Sequence, residues 1–162
     1  MKKLIGALAI FGSAAFAEEA YVTFQTLTPK LALEMAEVAM TSCEEQGYQV
    51  GVTVVDRFGQ PQAYIKNRFA GLHVYETSRR KAWTAVSFRT ATSELAKQTQ
   101  AGSDASGIRL LSEALPLGGG LLVFSGEGSI VAGIGVSGAP SPELDDICAQ
   151  NGIDAIEDEI AF

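Results

Sequence analysis

Histidine and cysteine are nearly missing from this 162-residue chain, which has one histidine, His73, and two cysteines, Cys43 and Cys148. Two thiols and one imidazole so far apart lack the local spacing of a structural zinc site. One histidine without an adjacent nucleophile excludes a Ser-His or Cys-His hydrolytic centre, and no G-x-S-x-G elbow occurs. Cations are scarce too, 12 Lys and Arg against 19 Asp and Glu. Phosphate neutralisation needs clustered cations, so nucleic acid is not an expected partner, nor is an anionic membrane surface. Beyond the first 17 residues no apolar run approaches the roughly 20 residues that span a bilayer. Internal repeats, low-complexity tracts and Pro- or Ser-rich linkers are also missing.

The amino terminus carries a leader pattern. Lys2 and Lys3 precede an apolar run from Leu4 to Phe16, and Ala15-Phe16-Ala17 offers small side chains at the positions a signal peptidase must accept. Residues 1–17 are therefore expected to be a cleaved signal peptide, with a single domain over residues 18–162 in the periplasm or outside the cell and no stable membrane insertion. Loss of Lys2 and Lys3 leaves 10 cations against 19 acids, a net charge near −9. In an exported protein an even pair of cysteines reads first as a disulfide, with two buried thiols as the alternative if their helices do not meet.

Hydroxyl and proline at Thr28-Pro29 predict a helix start. Leu31, Met35, Val38 and Ser42 recur at helical spacing until Gly47. Val50 to Val55 and Gln62 to Lys66 read as strands of a hairpin around Asp56-Arg57-Phe58-Gly59. Helices are expected over 76–88 and 93–98, with a short one capped by Asp104 and running through Leu111. Strands follow over 121–124 and 129–136, and a last helix runs from Ser141 to about Ile160. This order predicts an α+β fold with an antiparallel sheet between helices.

Gly133-Ile134-Gly135-Val136-Ser137-Gly138 matches G-x-G-x-x-G, but a dinucleotide fold needs a further parallel strand with an acid at its end. Gly133 and Gly135 are assigned instead to close packing of a neighbour on the strand. The turn at Ser137, Gly138 and Ser141 could hold an anion at a helix start; an ordinary helix with Ser141 at N-cap is the better reading of it. Asp145 and Asp146 are adjacent, point to different helix faces and form no carboxylate dyad. His73 lies in a loop before a helix carrying Arg79, Arg80 and Lys81, near Phe69, Tyr75 and Trp83. Imidazole ligates iron, aromatic faces cover a macrocycle and cations pair with propionates, so the group suits haem. Taken alone, the same residues also read as a solvated loop and a wet helix face.

Three segments resemble one family. Val54-Val55-Asp56-Arg57-Phe58-Gly59 is similar to the "VVD-x-x-G" hairpin of the GlcG/HbpS-like haem-binding family, which is related to PduO C-terminal domains. Ser78-Arg79-Arg80-Lys81-Ala82-Trp83-Thr84-Ala85 resembles its "K-A-x-T-A" helix. The glycine motif followed by Leu144-Asp145 and Cys148-Ala149 resembles its "G-x-I-G-V-S-G … D … A" ending. Gly71-Leu72-His73 is similar to the "G-P-H" loop of the exported branch, with Leu72 in place of proline. The resemblance implies a five-stranded antiparallel sheet with helices on both faces, a homo-oligomer, and haem or a related tetrapyrrole as cofactor. On this basis the chain is expected to bind haem for capture or sensing and not to be a conventional enzyme. His73 is the candidate iron ligand, with Tyr75, Arg79 and Arg80 around the macrocycle. The implied fold also allows the helices of Cys43 and Cys148 to share a sheet face. The rival readings are an accessory protein for a small organic acid, held at Ser137, Gly138 and Ser141, and a haem-degrading enzyme.

Overall fold

The computed structural model describes residues 20–161; the expected signal peptide lies outside the described residues. Helix α1 (Pro29–Glu45) starts as expected, with Thr28 Oγ1 accepting from the Leu31 amide. Strands β1 (Gly51–Asp56) and β2 (Pro61–Lys66) form the first hairpin. Helices α2 (Val74–Phe88) and α3 (Thr92–Gln98) follow. A second hairpin, β3 (Gly120–Phe124) and β4 (Ile130–Ser137), leads into α4 (Pro142–Asp154).

The sheet is antiparallel, in the order β2-β1-β4-β3. Helices cover both of its faces, as expected, but among the described residues it has four strands and not five. Residues 20–28 show why nothing extends it there. They run without ladder pairing, joined to β4 by the Thr26 hydroxyl bonded to the Val131 carbonyl while Leu27 is buried. Two further expectations change. Residues Ser106–Leu110 form a 3-10 turn that Asp104 does not cap. The last helix stops at Asp154, after which the chain turns to bury Ile156 completely and then makes a 3-10 turn at Glu157–Glu159.

Strand alternation sorts the two faces. Val52 and Val54 of β1, Ile134 and Val136 of β4 and Val123 of β3 enter the main core with Met35, Ala39, Cys43 and Cys148 of α1 and α4. The opposite face is paved with small residues, because Thr53 pairs with Gly135 and Gly135 with Gly120. Helix α2 lies directly on this floor. A Cβ at Gly135 would strike the Ser78 carbonyl and lie 2.7 Å from the Ala82 nitrogen, and one at Gly133 would lie 2.6 Å from Val86 Cγ1. The glycine motif is thus a seat for a helix, as the sequence reading assigned it. Gly135→Ala is expected to lower stability by about 2–3 kcal/mol because backbone blocks the new methyl on α2. Gly133→Ala should cost less, since the nearest atom is a side-chain methyl that can yield and the nearest backbone atom, the Ala82 carbonyl oxygen, is 3.0 Å away. Urea unfolding of both variants checks the order, and equal losses would contradict it.

Helices α1 and α4 cross closely at Gly152, where a Cβ would lie 2.6 Å from the Met35 carbonyl and 2.8 Å from the Ala39 Cβ. One helical turn away Cys43 and Cys148, both fully buried, form the expected disulfide, with Cα atoms 5.5 Å apart.

Candidate functional site

The start of α2 faces the start of α4 across the end of the sheet, leaving an open cleft of about 270 Å³. His73, Thr77 and Lys81 line it from the α2 side and Ser137, Ser141 and Asp145 from the other. The fold therefore brings together two groups that lie about sixty residues apart in sequence, the histidine loop and the glycine-rich turn.

His73 precedes the first residue of α2 and makes no side-chain cap. Its carbonyl accepts from the amide and the hydroxyl of Thr77, which fixes the main chain while the side chain stays exposed. The ring lies over Gly71, where a Cβ would be 2.6 Å from Cε1 and 2.8 Å from Nδ1 but 3.7 Å from Nε2. Glycine at 71 thus gives the imidazole its place, with Nε2 the ring nitrogen farther from the glycine. In the same stretch of chain Phe69 is 81% exposed, Leu72 98% and Tyr75 48%, apolar surface that water solvates poorly. Tyr75 is held edge-on against Tyr64, with ring centroids 4.8 Å apart. Burial, and then the neighbouring Tyr75, raise the Tyr64 phenol above its ordinary pKa.

Arg79 and Arg80 point elsewhere. Arg79 binds Glu113 at 2.8 Å and Glu76 at 3.0 Å, and the bond to Glu113 foremost holds its guanidinium above the usual range. Arg80 donates to the carbonyls of Glu113 and Ala114. Both therefore lash the segment after the 3-10 turn onto α2. Arg68, in the same loop as His73, is exposed and has no ion pair among the described residues. A single arginine in a loop carries no pattern in the sequence, whereas Arg79, Arg80 and Lys81 form a cluster.

The turn leading to α4 already carries carboxylates of its own. Asp145 Oδ1 accepts from the Ala139 amide at 3.0 Å. The Glu143 carboxyl is held below its usual range, first by its own amide and then by the Ser141 hydroxyl. Ser137 is occupied by the Thr77 hydroxyl at 2.7 Å. Donors at Ser141 and Ala139 are thus engaged with resident acids, and an incoming anion would meet like charge.

The charged group that the sequence reading missed lies on the cleft floor. Lys81 is 1% exposed, and its ammonium donates to Asp145 Oδ2 at 2.7 Å and to the Val136 carbonyl at 2.9 Å. Burial pushes the Lys81 ammonium down and the Asp145 carboxyl up, against their mutual attraction. Asp146, as its different helix face implied, has a separate task and accepts from the Gly119 amide. Lys81 and Asp145 stand 64 residues apart, so no local spacing could pair them. The available signal was their joint presence in the two segments that resembled one family.

No group of three or more potential metal-ligating His, Cys, Asp or Glu side chains occurs among the described residues. No helix there is long and apolar enough to cross a membrane. The donor set is instead one imidazole with no side-chain hydrogen bond among the described residues, in a stretch of chain that exposes aromatic and aliphatic side chains, which suits a flat, largely apolar group that carries its own metal.

Fold and site together define a class, the small α-β-α sandwich that presents a histidine loop at the end of a glycine-paved sheet. Residues 27–154 match the family described as "Haem degrading protein HbpS-like", and the chain belongs to this HbpS-like family. A double mutant of Streptomyces reticuli HbpS superposes with a TM-score of 0.79 at 36% identity, covering 90% of this chain and 97% of that one. The PduOC:heme complex superposes with a TM-score of 0.75 at 30% identity, covering 81% and 95%. Corrinoid adenosyltransferase PduO of Citrobacter freundii is 32% identical over 142 residues, 83% of this chain but 42% of the relative. The chain thus spans less than half the length of that curated relative.

Proposed function

We propose that this chain is an exported haem-binding module for haem capture or sensing, with His73 as axial ligand. The observation that carries the reading is the exposed imidazole seated on Gly71, in a stretch of chain that also exposes Phe69, Leu72 and Tyr75. The HbpS-like membership and the haem complex of PduOC support the choice of ligand. Haem, if bound, would supply an iron that takes a nitrogen donor, and Phe69, Leu72 and Tyr75 would offer it exposed apolar surface. Arg68 is the uncommitted cation for a propionate, and Arg79 serves only if it gives up Glu76 or Glu113. The export setting rests on the leader pattern of residues 1–17. The organic-acid reading is the weaker one, because the turn at Ser137, Gly138 and Ser141 already holds its own carboxylates.

Titration with haemin, followed in the Soret region, tests the proposal. A sharp band saturating near one haem per chain is the expected result. His73→Ala should alter the band and weaken binding by about a hundredfold, since a metal ligand is lost. Arg79→Ala should weaken it by about threefold at most and keep the band shape, because an exposed ion pair contributes little. If His73→Ala binds unchanged while Tyr75→Phe removes the band, a phenolate is the ligand. If no substitution matters, binding is non-specific and the haem reading fails.

A further inference from the structure

A second site lies on the opposite side of the molecule and shares no residue with the His73 cleft. Strand β3 is one of the two edge strands of the sheet. Residues of an antiparallel strand send their N–H and C=O groups alternately to one edge and the other. The Gly119 carbonyl accepts from the Val136 amide of β4, so odd-numbered residues face inward. Gly120 faces outward, and Thr92 of α3 satisfies both of its groups, accepting from its amide at 2.8 Å and donating to its carbonyl at 3.3 Å. The next outward residue is Leu122, and no helix or side chain among the described residues takes up its main-chain groups.

A groove of about 490 Å³ runs along this edge. Leu122, Phe124, Ile153 and Ile160 form its apolar lining, Asp154 and Glu157 supply its charge, and no Lys or Arg lines it. One end is closed where the chain near Ala161 packs on Gly126, whose amide donates to the Ile160 carbonyl.

We propose that this edge is a docking site for an extended segment of a partner protein with alternating apolar and basic residues, which pairs with Leu122 as an added strand. An unpaired edge supplies main-chain bonds, the apolar lining takes alternate side chains, and the two carboxylates select for cations. A second copy of this chain is the poorer occupant, because pairing β3 with β3 about a two-fold axis brings both acidic rims together.

The test is fluorescence anisotropy of a labelled hexapeptide alternating Lys and Val, titrated with the purified chain. Saturable binding that weakens with salt is expected. N-methylation of alternate peptide nitrogens should weaken it by about tenfold, because a methyl on the nitrogen facing the Leu122 carbonyl removes the strand hydrogen bond. Glu157→Lys and Asp154→Lys should each weaken it severalfold. Glu37→Lys, the same charge change on the exposed side of α1, should not. A flat titration, equal binding of the N-methylated peptide or of a Glu-Val peptide, or an equal effect of Glu37→Lys would overturn the proposal. So would a stable dimer that Glu157→Lys dissociates.

Discussion

Replacing Asp145 by Asn is expected to cost about 3–5 kcal/mol of folding stability at pH 7. Asn keeps the size of the side chain and can still accept from the Ala139 amide. What it loses is the negative charge 2.7 Å from the Lys81 ammonium, in a site where Lys81 is 1% exposed. The stranded lysine can escape by giving up its proton. From an ordinary pKa near 10.4, that escape costs about 4.6 kcal/mol at pH 7, which limits the lysine's own share of the loss. The pH dependence has a definite sign. In the variant the folded chain binds fewer protons at Lys81 than the unfolded chain does, so stability rises with pH. The deficit should therefore shrink as the pH is raised from 7 to 10, by at most about 1.4 kcal/mol per unit. Removing both charges with Lys81→Met and Asp145→Asn should restore much of the loss, since no isolated charge remains. Urea melts across that pH range check all three statements. A single-variant loss below about 1 kcal/mol would mean that the site admits water and that the pair is not an internal one.

Removing the disulfide with Cys43→Ala and Cys148→Ala together is expected to cost about 4–5 kcal/mol, because the bridge closes a long loop in the unfolded chain. The sequence separation is 105 residues, so the bond joins nearly the two ends of the described chain. Both sulfurs are fully buried at the crossing of α1 and α4, so reductant should act slowly on the folded protein and quickly once denaturant is present. Mass analysis after alkylation without reductant should find no free thiol, and urea unfolding of the double variant measures the stability loss. A loss below 1 kcal/mol would place the stabilisation elsewhere, in the packing of Gly152 on Ala39.

Much of the architecture was legible in the residues. The hydroxyl-proline start of α1, the β-branched run of β1 and the turn residues between the hairpin strands are local signals, and local signals survive folding. The glycine motif was also readable as a packing seat. What failed was equally physical. A fifth strand came from the resemblance and not from any apolar alternation, and residues 20–28 are tied to β4 by a hydroxyl without a strand ladder. Helix α4 was read six residues too long because burial of Ile156, a long-range demand, turns the chain after Asp154.

The sequence by itself determined the order of the elements, the acidic charge, the lone imidazole before α2 and the narrow choice of chemistry that one histidine permits. Those depend on composition and on neighbours a few residues away. Only the tertiary structure decided which charges pair. Arg79 and Arg80 looked like free cations, yet strands and helices folded Glu113 and two carbonyls onto them. Lys81 looked like part of a wet face, and the close seating of α2 on Gly135 buried it against Asp145. Charges interact through space over a few ångströms, and which side chains come that close follows from how the layers stack, not from their positions along the chain.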